Sequence, residues 1–426
     1  YNPLTETFFK GVFKLPPAHF LSIDVPKGDA HIKKYGSLEF APNKNLDERE
    51  TTKKIYETIS DSVEHHMIAD VPVGAFLSGG IDSSIITTLM QEIRGDKRIK
   101  TFTVGFNTLT EAKEASETAS FLGTDHTELT IGPDEYFGAL KKAVYHFDEP
   151  VADPSALGIY FLAEEARKHV KVVLSGEGSD ELFGGYNIYL EPYARQKMAW
   201  LPQSILNFLL NLPFGFFGKN YLGRVSSKME DWYIGNASIF KQDEINQLWK
   251  TAIERPKLLS LAPLYKKVAN LSESTKMQYI DVNTWLVGDI LAKADKMTMA
   301  HSLELRVPFL DKEVANLAKI LPDNFKWRGG VTKYLLREAF KAVIPESTRN
   351  RKKLGFPTPI RDWFTRERQD TYNIILKNEY IKTHMNISYI QNIIDEHISK
   401  KADNSRKIYT LLMLALWYDV FANKKI

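Results

Sequence analysis

Cysteine is absent from all 426 residues. Its absence excludes disulfides, thiolate zinc sites and any cysteine nucleophile within this sequence. Long apolar runs are scarce too. The two longest, Leu201–Phe217 and Tyr409–Phe421, are interrupted by Pro213 and Asp419, and both are shorter than the roughly 20 apolar residues that span a bilayer. The start, Tyr1-Asn2-Pro3, lacks a basic-then-apolar signal pattern and an initiating Met. The expectation is a soluble, cytoplasmic protein, as a fragment or a processed form. No charge sign is in large surplus: a net charge of +3 gives no support for a general nucleic-acid-binding surface. An apolar content of 43% supports an ordinary core, and the length allows two or three domains.

What is present centres on Ala75-Phe76-Leu77-Ser78-Gly79-Gly80-Ile81-Asp82-Ser83-Ser84. The apolar run Val71–Leu77 predicts a buried strand. It stops at Ser78-Gly79-Gly80, and a helix begins, with Ile85, Ile86, Leu89, Met90 and Ile93 on one stripe. Glycines let a backbone approach a ligand closely, and the first N–H groups of a helix attract anions. Ser78, Ser83 and Ser84 add hydroxyls. The pattern predicts a polyphosphate site, but without a lysine it is not a Walker A loop. Asp82 beside a polyphosphate makes sense with a Mg²⁺ ion between them.

In chain order, residues 1–45 alternate short β-like pieces with Pro and Gly and cannot form a core alone. They read as the tail of a preceding domain plus a linker ending near Pro42-Asn43-Lys44-Asn45. Residues 46–69 predict a helix packed through Ile55, Ile59, Val63 and Met67. The adjacent His65 and His66 point apart on it and are poor metal ligands. Strands then alternate with helices: strand 99–104 ending at Gly105, helix 111–122, strand 126–130, helix 135–147, helix 155–169 and strand 170–174. This alternation implies a parallel sheet wound on both faces. Ligands bind beyond the carboxyl ends of such strands, so Ser78, Gly105 and Ser175 should meet at one nucleotide.

The strand ending at Leu174 delivers Ser175-Gly176-Glu177-Gly178-Ser179-Asp180-Glu181-Leu182-Phe183-Gly184-Gly185-Tyr186. Four glycines argue for close backbone approach, against the alternative of solvated loop acids. Asp180 reads as a second Mg²⁺ ligand facing Asp82, and Glu177 as an acceptor for the proton of an incoming amine. Residues 190–426 read as mainly helical, over 281–292, 297–303, 331–343, 389–398 and 406–421. Two stretches there look chemical. Leu291–Asp311 interleaves charges with buried positions, and for Glu304 and Arg306 a structural ion network competes with a functional role. Arg349–Pro357 places four cations before a Gly and a Pro, either as a solvated charge run or as a loop reaching back to the phosphates.

Together SGGIDSS, SGEGSDELFGGY, MTMAHSLELRVPFLD and RKKLGFPTP resemble the synthetase domain of the glutamine-hydrolysing asparagine synthetases (AsnB type), within the PP-loop ATP pyrophosphatases. The resemblance runs from about residue 46 to the C-terminus. It implies an α/β fold: a doubly wound parallel sheet of adenine nucleotide alpha hydrolase-like type, formed by 46–189, and a helical part, 190–426, completing the domain. Residues 1–45, with KLPPAHFL, look like the end of the family's N-terminal glutaminase domain. The cysteine of that domain is not in this sequence, so the chain should use free ammonia or ammonia made by a removed portion. By resemblance, Ser78, Gly79, Gly80, Asp82, Ser83 and Ser84 bind pyrophosphate, and Leu77, Val104, Ser175 and Gly176 hold the adenosine. Asp82 and Asp180 hold Mg²⁺, Glu177 is the general base and Lys353 stabilises the adenylation transition state. Asp295 and Lys296 lie in a motif lining the substrate side.

The implied reaction is ATP-dependent amide formation. The β-carboxylate of aspartate attacks the α-phosphorus of MgATP, pyrophosphate leaves, and ammonia attacks the β-aspartyl-AMP. The implied partners are small molecules (aspartate, ATP, ammonia or glutamine) and a second copy of the chain, with no nucleic acid and no membrane. The segment Phe147–Ser155, FDEPVADPS, departs from the Thr-Thr-x-Arg pattern of one family branch and leaves the acyl substrate open. A β-lactam synthetase-like or sugar- or peptide-amidating enzyme is the nearest alternative. A tRNA-thiolating PP-loop enzyme fits poorly with no cysteine and no basic surplus, and a non-catalytic nucleotide scaffold fits poorly with Asp82, Glu177, Asp180 and Lys353 all intact.

Overall fold

The chain is described from a computed structural model, over residues 1–106, 111–196, 202, 205, 224, 228–235, 238–251, 256–351, 358–365 and 368–423, with side chains of 256–260 and 111 excepted. Strands β1 (His19–Asp24) and β2 (Asp29–Lys34) pair antiparallel in a hairpin. Five further strands form one parallel sheet: β3 (Val73–Phe76), β4 (Lys100–Phe106), β5 (Asp125–Ile131), β6 (Val172–Leu174) and β7 (Glu304–Arg306). Their order is β5-β4-β3-β6-β7. The helices that matter below are α1 (Glu48–His66), α2 (Ile81–Arg94), α3 (Glu111–Leu122), α4 (Pro133–Phe147), α5 (Ala156–Ala166), α6 (Ser179–Phe183), α7 (Glu273–Asn283), α8 (Ala292–Met299), α9 (Tyr334–Ala339) and α10 (Ser405–Trp417).

The sheet is double-sided because its strands alternate between two cores. Val172 and Leu174 pack with Val73, Ala75 and the apolar stripes of α1 and α2 (Ile55, Ile59, Val63, Ile85, Ile86). Val173 faces the other way, into a core with Phe76, Phe102, Val104 and residues of α4, α5 and α10. Side chains along a strand point to opposite faces in turn, so each strand serves both cores. The doubly wound parallel reading therefore stands.

The structure revises the sequence reading in several places: the helix expected over 297–303 ends at Met299 in α8, and that expected over 331–343 is helical over Tyr334–Ala339. The fifth strand of the sheet, β7, comes from far down the chain, beyond the four strands that the sequence pattern predicts. Its Arg306 bonds Glu304 at 2.8 Å and the carbonyls of His66 and Ile68 at 2.8 and 2.7 Å, so this pair is structural. The helix expected over 281–292 breaks after Asn283 and is π-helical over Leu286–Leu291. The hairpin β1–β2 lacks a core of its own: Ile23 and Ile32 are each 58% exposed. Among the described residues no helix is long and apolar enough to cross a membrane.

Candidate active site

From β3 the chain moves to β4 and β5 on one side, then returns to β6 and β7 on the other. The strand order reverses between β3 and β6, and open α/β sheets bind ligands at such a point. The two glycine turns follow these two strands. They touch: a Cβ added to Gly176 would lie 2.7 Å from the Asp82 Cβ and 3.1 Å from the Ser83 nitrogen. Only glycine permits that approach. Gly178, at φ 85°, then turns the chain into α6 in a conformation that L side chains resist.

The first turn is held by its own hydroxyls. Ser83 Oγ accepts from Ser78 N at 3.0 Å and lies 3.1 Å from Ser78 Oγ, while Ser84 Oγ donates to Gly80 O at 2.8 Å. Ser84 is therefore committed internally and fully buried. The cavity beyond the strands has a volume of about 600 Å³, a size typical of small-ligand sites. Leu77, Ser78, Asp82, Ser83, Val104, Ser175, Gly176, Glu177 and Asp180 all line it. Gly79, Gly80 and Ser84 do not; the carbonyl of Gly79 is instead taken by the Arg351 guanidinium. Strand β4 runs on through Gly105 to Phe106, so Thr103 and Val104, not Gly105, reach the cavity.

Asp82 and Asp180 meet on one nitrogen. Lys333 Nζ lies 2.5 Å from Asp82 Oδ1 and 2.6 Å from Asp180 Oδ1. Ser179 Oγ donates to the same Asp82 oxygen at 2.8 Å. Lys333 is 2% exposed and sits at φ 54°, ψ 37°, just before α9. A non-glycine residue in this left-handed region costs roughly 1–2 kcal/mol, and Lys333 adopts it with its ammonium between the two carboxylates. Two carboxylates converging on one cation fit a Mg²⁺ site, because that ion takes one or two carboxylates and fills its shell with water and substrate phosphate. Among the described residues no group of three or more His, Asp or Glu side chains is arranged as a closed metal cage.

The far wall carries a second buried charge cluster. Lys293 Nζ contacts the Asp153 carboxylate and donates to Ser155 Oγ at 2.9 Å. Burial opposes ionisation of Asp153, yet the charge and hydrogen bond of Lys293 hold its carboxyl well below the usual range. Burial, then the charge of Asp153, pushes neighbouring Asp289 well above it. Glu177 lines the cavity, and its Oε2 is shielded from solvent without a hydrogen-bond partner among the described residues.

Of the residues expected on the substrate side, Asp295 is exposed and Lys296 bonds Phe147 O and Asp148 at 2.8 and 2.6 Å; neither lines the cavity. Lys293, three residues earlier on α8, does. Lys353 lies outside the described residues. The basic stretch before it does come back to the first glycine turn: Arg351 bonds Gly79 O and lies 3.4 Å from Glu114 on α3, and Arg337 bonds the carbonyls of Arg349 and Arg351. Lys333, Asp153, Ser155 and Lys293 were not singled out from the sequence. The local signals are the motif Leu291–Asp311, which contains Lys293, and the segment Phe147–Ser155, which contains Asp153 and Ser155.

The family profile described as Asparagine synthase matches residues 54–419. Asparagine synthetase [glutamine-hydrolyzing] 1 of Bacillus subtilis (strain 168) is 43% identical over 432 residues, covering 100% of this chain and 68% of that protein. A putative asparagine synthetase [glutamine-hydrolyzing] of Mycobacterium tuberculosis (strain H37Rv) is 40% identical over 438 residues, covering 100% of this chain and 67% of that protein. Amidase chyE of Penicillium rubens is more distant, at 26% identity over 415 residues, 84% of this chain and 60% of that protein.

Proposed function

The chain belongs to the asparagine synthase family, and from that premise we propose that it makes asparagine from aspartate, ATP and ammonia through a β-aspartyl-AMP intermediate. The observation that carries this reading is the meeting of Asp82 and Asp180, 98 positions apart in the chain, on one buried cation beside a glycine turn. The β-carboxylate oxygen of aspartate attacks the α-phosphorus, and the bond to the β,γ-pyrophosphate breaks. Ser78, Ser83 and the first N–H groups of α2 receive the leaving pyrophosphate. Leu77, Val104, Ser175 and Gly176 hold the adenosine against the strand ends. Asp82 and Asp180 are the residues that would hold Mg²⁺, which would neutralise phosphate charge when bound. Lys333 keeps the two carboxylates together, and Lys353 with the basic loop adds positive charge near the transferring phosphorus, the kind of fixed electrostatics that dominates catalysis. In the second half, ammonia forms the C–N bond as the C–O bond to AMP breaks, and Glu177 accepts the proton released from nitrogen.

The same reading makes residues 1–45 the end of a glutaminase domain, with 46–189 and 190–426 together forming the synthetase unit. The uncovered apolar residues of the hairpin support this, since Phe20, Ile23 and Ile32 are exposed. Ammonia then comes from that domain or from solution. The test is pyrophosphate release against a panel of carboxylates with ammonium as nitrogen donor. Aspartate should be preferred. Glu177→Ala should lower asparagine formation by about 10²–10⁴-fold, the usual worth of a general base, while ATP still binds. Release that is equal with and without aspartate would defeat the proposal.

A further inference from the structure

The cavity has a second, chemically different end. At its exposed mouth the lining is Thr358, Arg361, Asp403, Ser405 and Arg406, from the approach to and first turn of a short helix at Ile360–Trp363 and of α10. Here both signs of charge face the cavity. Arg361 Nε is 3.6 Å from Asp403 Oδ2, too long for a hydrogen bond, and the two side chains are 72% and 44% exposed. Asp403 is fixed from behind, where its Oδ1 accepts from Ser405 N at 3.1 Å and Ser405 Oγ at 2.7 Å. The ring of His397 stands 3.9 Å from that same oxygen. Arg406 has no carboxylate within 4.0 Å among the described residues, and Thr358 Oγ1 is shielded from solvent without a hydrogen-bond partner.

The rest of the cavity sets the constraint. Asp82, Asp153, Glu177, Asp180 and Glu181 line its inner end. A substrate that presents one carboxylate to the α-phosphorus there would have any second carboxylate repelled by these acids. The lining cations among the described residues are Lys293, Arg361 and Arg406. Lys293 is neutralised by Asp153. That leaves the two arginines of the mouth, whose planar guanidinium groups suit a carboxylate, with Asp403 beside them for an ammonium group.

We propose that Thr358, Arg361, Asp403 and Arg406 form the site that recognises the α-amino-acid end of the acyl substrate. The α-carboxylate lies on Arg406 and Arg361 with the Thr358 hydroxyl, and the α-ammonium lies on Asp403. This rests on the reading above that the substrate is a dicarboxylic amino acid, and it names what selects that substrate: a zwitterionic head group, not the reacting carboxylate. Succinate lacks the ammonium group and β-alanine lacks the α-carboxylate, so each should miss one half of the site.

The experiment is steady-state pyrophosphate release by the full chain with ammonium as nitrogen donor, each analogue being scored by KM or by competitive Ki against aspartate. Arg406→Ala and Arg361→Ala should raise the KM for aspartate and weaken succinate by roughly 10- to 100-fold, the worth of a charged hydrogen bond. They should leave β-alanine and the KM for ATP within about twofold. Arg406→Lys should recover part of the loss. Asp403→Asn should show the reverse pattern, weakening β-alanine and sparing succinate. An aspartate KM unmoved in both arginine variants overturns the inference while the proposed reaction stands, and so does an equal loss for aspartate, β-alanine and ATP. Wild-type protein that releases no pyrophosphate with aspartate overturns both.

Discussion

The two glycine turns look alike in sequence and are held in different ways. The turn before α2 is held mainly by its own hydroxyls: Ser78, Ser83, Ser84 and Gly80 bond one another within a few residues, and Arg351 on Gly79 O and Lys333 on Asp82 are added to that local frame. The second turn is anchored through α6, and α6 is held from afar. Gln278 on α7 donates to the carbonyls of Glu181 and Leu182 at 2.8 and 3.2 Å, Trp327 donates to Gly184 O at 2.9 Å, and Lys333 holds Asp180. Gln278 is itself oriented by Lys326, 2.9 Å from its Oε1. Lys326 is buried over the rings of Phe40 and Trp327. A turn fixed locally forms with its own strand and helix. A turn fixed by the helical part is correct only when the whole chain has folded, which ties catalytic competence to completion of the fold.

The variant that should break this comparison most severely is Lys333→Met. It strips the shared cation from two carboxylates that remain buried, and breaking such a group typically costs about 3–5 kcal/mol. Denaturant unfolding should show that loss, and pyrophosphate release should fall below detection. A variant with near wild-type stability would mean that the two acids do not depend on Lys333.

A second test follows the strut behind the second turn. Burial depresses the Lys326 ammonium from 10.5 to about 8. The unfolded chain therefore holds the proton between those values while the folded chain has released it, and stability rises with pH across that window. Below pH 8 both states are charged and the full penalty applies. Wild type should gain up to about 3 kcal/mol from this group between pH 8 and 10.5, and Lys326→Met should lack that part of the slope. Identical pH dependence in the two proteins would contradict the burial argument.

Smaller effects should separate the turns directly. Gln278→Leu leaves two carbonyls of α6 without their donor, at about 1–3 kcal/mol, and should lower kcat as the acidic turn anchored on α6 loosens. Ser84→Ala removes one hydrogen bond inside the first turn and should cost only about 0.5–1.5 kcal/mol, with the KM for ATP little changed. If Ser84→Ala proves the more damaging to catalysis, the local-versus-distant distinction is wrong.

The same distinction explains what was legible in the sequence. Ser78–Ser84 and Ser175–Asp180 each announce themselves by strand, glycines and acid in a short stretch, and the alternation of strands and helices from Val73 to Leu174 fixes a parallel sheet. Lys333 carries no such mark. It follows Thr332 in an ordinary amphipathic stretch, and its role exists only because α9 is brought against both turns. Strand β7 is three residues long, Glu304-Leu305-Arg306, too short for any periodicity, and it is specified by its partner β6. Lys293 and Lys296 are neighbours on one helix face, and the motif could not say which would be drawn to Asp153. The pattern FDEPVADPS did mark the right place, since Asp153, Pro154 and Ser155 line the cavity.

The most direct test of the central claim, that a carboxylate is adenylated where the two turns meet, is ³¹P NMR of the products formed from aspartate labelled with ¹⁸O in its β-carboxylate. The account predicts AMP and pyrophosphate, with one ¹⁸O carried into the phosphate of AMP. Formation of ADP and inorganic phosphate, with the label in the phosphate, would contradict it.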